Sequence, residues 1–151
     1  DLVIPVGAGN VERYAGNTSD AVVGVFNGCF YTDPTTQKPT FKNYYPGGVA
    51  ASDITAFVVD DPDAVFLVDA DDTFARADIF KNYSLTTVSG NTKTGISSQQ
   101  LDVETSGTAA TFVVQAIDIS QDPDNSDVSA ANGNVLVRIN NHFYRSGTGI
   151  A

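Results

Sequence analysis

The chain has 151 residues, 18 acidic side chains against 8 Lys and Arg, and one Cys, so it has the size of one domain and a net charge of −10. That charge argues against a nucleic-acid partner, whose phosphates need a basic surface, and disfavours an anionic membrane surface. The single Cys29 excludes an intramolecular disulfide framework, and no apolar run approaches the ~20 residues of a membrane helix.

In chain order, residues 1–20 read as an extended N-terminal arm. Its opening "DLVIPV" is apolar, and Pro5 marks an edge segment that either adds to a neighbour's sheet or packs on its own domain. A single β domain is expected over 21–144. "AVVGVFNGCFY" (21–31) alternates as a strand, with Gly24 and Gly28 pointing to a bulge or a close backbone approach. "TDPTTQKP" (32–39) is a turn started by Asp33 and Pro34, and "TFKNYY" (40–45) returns as a second strand. "ITAFVV" (54–59) and "AVFLVDA" (64–70), joined by "DDPD", read as a second hairpin.

A helical turn is expected within 72–82, with Asp72 or Asp78 as its N-cap. "YSLTTVSG" (83–90) is a strand and 91–95 a loop, while 97–104 is open between a helical turn and a strand. "TFVVQAIDI" (111–119) is a strand, 120–133 a long polar loop, and "NVLVRINNHFY" (134–144) the last strand. In that strand Val135, Val137, Ile139, Asn141 and Phe143 share one face, and Leu136, Arg138, Asn140, His142 and Tyr144 the other. Residues 145–151 form a flexible C-terminal tail. The fold class is all-β, a compact antiparallel β-barrel or sandwich of about seven strands with one short helical turn. Strands 64–69 and 111–119 are apolar on both faces, which calls for a second covering layer from the chain itself or from another protein.

Chemistry-bearing motifs are sparse. Asp69 and Asp71 open like an EF-hand loop, but Thr73, Phe74 and Phe80 occupy its fifth, sixth and twelfth positions, and "DPDNSD" (122–127) fails similarly. Asp60, Asp61, Asp63, Asp69, Asp71 and Asp72 therefore read as turn builders, with a loose structural Ca²⁺ site as the alternative. His142 is expected as a surface or interface histidine, and Cys29 as a buried, inert thiol. There is no G-x-S-x-G elbow and no phosphate-binding glycine loop. No catalytic, cofactor or metal residue is assigned, and no cofactor is expected. The sequons at Asn17 and Asn82 read as chance. The chain has no Met and no visible signal peptide, so residue 1 is not expected to be the start of the gene product.

What remains is contact surface. Residues 27–48 hold five of the fifteen aromatic residues and two of the four Lys, in a turn-rich setting. Aromatic side chains are enriched in interfaces. The interface residues expected are Leu2, Ile4, Tyr31, Phe41, Lys42, Tyr44 and Tyr45.

The runs "GVFNGCFYTDPTTQKPTFKNYYPGG", "AFVVDDPDAVFLVDAD" and "VLVRINNHFY" resemble small virion proteins of tailed bacteriophages, those of marine and cyanobacterial phages above all. The resemblance spans about 22–144. It implies a non-enzymatic capsid decoration, or cement, protein. Such a protein sits on the outer surface of the virion and is assembled in the host cytoplasm. Its implied partners are the major capsid protein and neighbouring copies of itself, with no nucleic acid and no membrane. A neck- or tail-associated structural protein, or a surface-displayed carbohydrate-binding β module, is the alternative.

Overall fold

The computed structural model describes residues 1–91, 93–127, 129–146 and 150. Among them are ten strands in two antiparallel sheets. They are β1 (Leu2–Val6), β2 (Asn10–Arg13), β3 (Gly24–Thr32), β4 (Pro39–Lys42), β5 (Thr55–Val59), β6 (Val65–Asp69), β7 (Asn82–Leu85), β8 (Leu101–Gly107), β9 (Val114–Ile119) and β10 (Asn134–Ile139). A single helical turn, α1 (Phe143–Ser146), follows, and short 3₁₀ turns occur at Gly7–Gly9, Arg76–Asp78 and Pro123–Asn125. The all-β antiparallel expectation holds. The three strands beyond the seven expected are β1, β2 and β8.

The first sheet is built around β3. On one side β1 pairs with its start, Leu2 opposite Val25, and β4 with its end, Phe41 opposite Phe30. On the other side β5 runs along it, Val59 opposite Val25 and Thr55 opposite Phe30. β2 closes the far side of β1.

The second sheet has the order β6-β10-β9-β7-β8 and curls until its two edges meet. Ala70, just past β6, forms a parallel bridge with Leu101 at the start of β8. The amide of Asp71 donates to the Leu101 carbonyl at 3.0 Å, and the Asp71 carboxylate accepts from the Val103 amide at 3.0 Å. The Gln100 side chain donates to Asp69 at 2.7 Å.

The buried apolar cluster lies mainly inside this curled sheet. Tyr83, Leu101, Val114, Ala116, Val135, Val137 and Ile139 come from its strands, and Phe74 and Val113 from the adjoining segments. From the other side it is capped by Leu2, Tyr14 and Val22, with Ile4 and Val25 packed at its margin. No residue of β4 or β5 belongs to the cluster. The first sheet is thus covered by the second only near β1 and the start of β3.

Several sequence expectations are corrected. Residues 1–20 do not form an extended arm, because β1 and β2 make a hairpin against the domain. Gln99, itself buried, accepts from the Leu2 amide at 2.8 Å and donates to the Tyr14 carbonyl at 3.2 Å. The N-terminal hairpin is thereby tied to the chain just before β8, and Leu2 and Val3 are both buried. Pro5 lies opposite Val11 of β2, but on its other side β3 pairs only with Leu2 and Val3, so no β3 partner waits for the missing proline N–H.

The expected second hairpin is not one. The turn at Asp61 forms, with its carboxylate accepting from the Asp63 amide at 2.8 Å, but β5 joins β3 and β6 joins β10. The "DDPD" link therefore carries the chain from one sheet to the other.

The helical turn expected within 72–82 shrinks to Arg76–Asp78, and Asp78 caps it from inside by accepting the Ala75 amide at 3.0 Å. The ambiguous 97–104 segment enters strand β8. The last strand stops at Ile139. Of the expected 145–151 tail, Arg145 and Ser146 belong to α1, Ile150 is exposed, and residues 147–149 and 151 lie outside the described residues.

Candidate interaction surface

The hairpin of β3 and β4 owes its shape to two glycines. A side chain at Gly24 would place its Cβ 2.2 Å from the Val59 carbonyl oxygen, so glycine lets β5 lie close against β3. At Gly28, φ is +128°, and a Cβ would meet the Lys42 carbonyl oxygen at 2.8 Å. The β3–β5 register shifts between Phe26 and Gly28, which is the bulge the two glycines foretell. Asp33 closes the tip, its carboxylate accepting from the amides of Thr35 at 2.8 Å and Thr36 at 3.0 Å.

Beyond the bulge, alternation sorts the side chains onto two faces. Cys29 and Tyr31 point to one face and are buried, at 1% and 3% exposure. Phe30 points to the other and is 39% exposed. Its cross-strand partner Phe41 is 59% exposed, and the ring of Phe41 lies 6.0 Å from that of Phe57 in β5, itself 45% exposed. These three phenylalanines, one from each strand, form an open aromatic face on the part of the first sheet that the second does not cover.

The opposite face borders a groove of about 1190 Å³, lined in part by Phe26, Cys29, Tyr44, Tyr45, Ile54 and Val58. Tyr44 packs against Gly95, where a Cβ would lie 2.4 Å from its ring. The Lys42 ammonium lies 5.4 Å from the Tyr44 ring centroid, a cation–π contact. The Cys29 thiol donates to the Tyr44 carbonyl at 3.6 Å, and burial raises its pKa more than the nearby Lys42 lowers it. It is a packed thiol rather than a reactive one.

The seven interface residues expected from sequence therefore divide. Phe41 and Tyr45 are exposed. Lys42 and Tyr44 are half-buried against each other, and Ile4 is half-buried at the edge of the core. Leu2 and Tyr31 are buried inside this chain and offer nothing to a partner. Phe30 and Phe57 are open rings that the sequence pattern does not single out. In strands that are apolar on both faces, sequence alone does not say which face stays open.

The acidic residues of 60–72 find partners within the chain, some in their own turns and some far along it. Asp61 accepts the Asp63 amide, Asp72 the Thr73 amide at 2.6 Å, and Asp71 the Val103 amide. Asp60 accepts the Tyr144 hydroxyl at 3.3 Å, and Asp63 pairs with Arg145. Among the described residues no three His, Cys, Asp or Glu side chains converge as metal ligands would.

His142 is not the surface or interface histidine expected. The strand pattern fails after Ile139, where Asn140 turns its side chain to the carbonyls of Ala110 and Phe112. His142 then forms a parallel bridge with Val22 and is 1% exposed. Its Nδ1 accepts from the Tyr144 amide at 3.2 Å, and the ring is buried beside the Asp60 backbone.

Burial, aided by Arg145, lowers the His142 pKa below 6.5, against the opposing pull of Asp60 and Asp61. The unfolded chain therefore takes up this proton before the folded one does. The stability contributed by the neutral ring is full above that value and is lost as pH falls below it. The urea midpoint is expected to fall between about pH 7.5 and about pH 5, and less so in His142→Asn. The carboxylates held low, Asp33, Asp53, Asp78 and Asp127, lose their share only below their ordinary 3.8, outside that window. An identical decline in the variant would show that the ring is not responsible.

Comparison with protein-family models, with curated proteins and with solved structures found no match for this chain.

Proposed function

We propose that this chain is a structural binding protein of a virion, a head decoration protein that holds the major capsid protein and neighbouring copies of itself through protein–protein contacts. The observation that carries the reading is the open aromatic face of Phe30, Phe41 and Phe57, placed where the domain's own core does not reach. Large rings left exposed together cost solubility in a monomer and repay it when a partner covers them. The segments that resemble phage virion proteins include all three. The acidic surface keeps an unassembled copy soluble, and many small contacts repeated over a shell become strong together.

The test is retention on DNA-filled capsids. The native chain should co-purify in a fixed ratio to the shell subunit. Phe41→Ser combined with Phe57→Ser should lower occupancy at least about tenfold while leaving the melting temperature within a few degrees, since both side chains are exposed. Undiminished occupancy would defeat this assignment of the contact face. A native chain that capsids do not retain, but that binds a glycan array saturably, would move the reading to a displayed carbohydrate-binding module seated on the Tyr45 groove.

A further inference from the structure

Sheet edges offer unpaired backbone groups, and proteins guard them with charge, proline or a covering segment. In the first sheet, β2 carries Glu12 and Arg13, and β4 carries Pro39 and Lys42. In the second, β6 is tied at one end to β8 through Ala70 and Leu101. β5 has none of these guards. Its sequence is Thr-Ala-Phe-Val-Val, four of its five residues are exposed, and β3 is its sole strand partner among the described residues. The run is apolar, rich in β-branched and aromatic residues, and all five of its residues pair with β3 on its other side, across one register shift.

The charges lie at its two ends. Asp53 precedes the strand, and Asp60, Asp61 and Asp63 follow it. Asp60 and Asp63 are engaged by Tyr144 and Arg145. Asp53 accepts the Thr32 hydroxyl at 2.6 Å and the Thr32 amide at 3.1 Å, bonds that favour its ionised form. Asp61 accepts only the amide of its own turn, and both Asp53 and Asp61 face solvent. A second copy adding antiparallel about Phe57 would set Asp53 opposite Asp61 twice, and a parallel copy would set each beside itself. Like charges directly opposite are destabilising. The acidic ends thus repel self-pairing and leave the apolar middle open.

We infer that the free edge of β5 accepts an extended segment of another protein, apolar over about five residues and basic at both ends, as an added antiparallel or parallel strand. Backbone hydrogen bonds along Thr55–Val59 supply the affinity, and Asp53 and Asp61 select the basic ends. The inference stands on the strand edge and its charges alone and does not depend on the virion reading.

The test uses the full chain and two labelled nine-residue peptides, Lys-Lys-Val-Thr-Val-Thr-Val-Lys-Lys and its counterpart with Glu in place of every Lys. Anisotropy should show the basic peptide binding at least about tenfold more tightly, and its binding should slow amide exchange at residues 55–59. In the double variant Asp53→Asn, Asp61→Asn, the preference should fall to about twofold or less, because asparagine keeps an acceptor but removes the charge. Equal binding of the two peptides to the native chain, or unchanged exchange in β5, would overturn the inference. A preference that survives in the double variant would do the same.

Discussion

Gly28→Ala is expected to destabilise the domain by about 4 kcal/mol. Two costs add. An alanine held at φ +128° sits in backbone space that L side chains rarely adopt, worth ~1–3 kcal/mol. The new methyl would also approach the Lys42 carbonyl oxygen to 2.8 Å, and forced overpacking costs another ~1–3 kcal/mol. Phe41, whose ring tip lies equally near, is exposed and can swing away, but the carbonyl belongs to the ladder and cannot. Urea denaturation followed by tyrosine fluorescence would measure it. A loss below ~1 kcal/mol would mean that the bulge relaxes without cost, and that neither the positive φ nor the Lys42 carbonyl demands glycine at this position.

The second large effect is expected at Leu101→Ala, a loss of about 3 kcal/mol within the 2–5 kcal/mol span of leucine truncations in packed cores. Leu101 is fully buried and stands where the second sheet meets its own other edge, beside Ala70. The cavity would open at the seam of the curled sheet. The same unfolding experiment reads the loss, and amide exchange at Asp71, which donates to the Leu101 carbonyl, should quicken before the rest of the sheet. Unaltered exchange there would mean that the seam is held by the Asp71 and Gln100 contacts rather than by leucine packing.

Much of the local structure is legible in residue types. The bulge of β3 shows in Gly24 and Gly28, and the hairpin tip in Asp33 followed by Pro34, because each signal is carried by the residue type at a single position, whatever packs against it. The partner of a strand is not. Strands β5 and β6 read as a hairpin because "DDPD" is a sound turn, and the turn does form. Yet each strand finds its ladder in a different sheet, a choice made by residues far along the chain.

Strands β1 and β2 are hidden for another reason. They are short and are joined by a 3₁₀ turn in which Ala8 takes φ +61°, a conformation alanine does not advertise. The open aromatic surface is half legible. Composition points to the hairpin that carries Phe41 and Tyr45, and both of these rings are open. Tyr31 and Phe30 are adjacent and equally aromatic, however, and which of them faces out depends on what the first sheet packs against. His142 escapes the strand pattern because the alternation of β10 does not continue past Ile139, where the Asn140 side chain ends it.

The place of β10 has a consequence for biosynthesis. It lies between β6 and β9, and the segment just after it clasps Val22, through the Val22 amide to Asn141 at 2.9 Å and the Phe143 amide to Val22 at 2.8 Å. A nascent chain emerging from the ribosome would hold β6 and β9 without the strand that joins them until residues through Phe143 had cleared the exit tunnel. The barrel-like half therefore closes only once β10 has emerged, and until then the facing edges of β6 and β9 stay unpaired, the stage at which wrong pairing is most open to them.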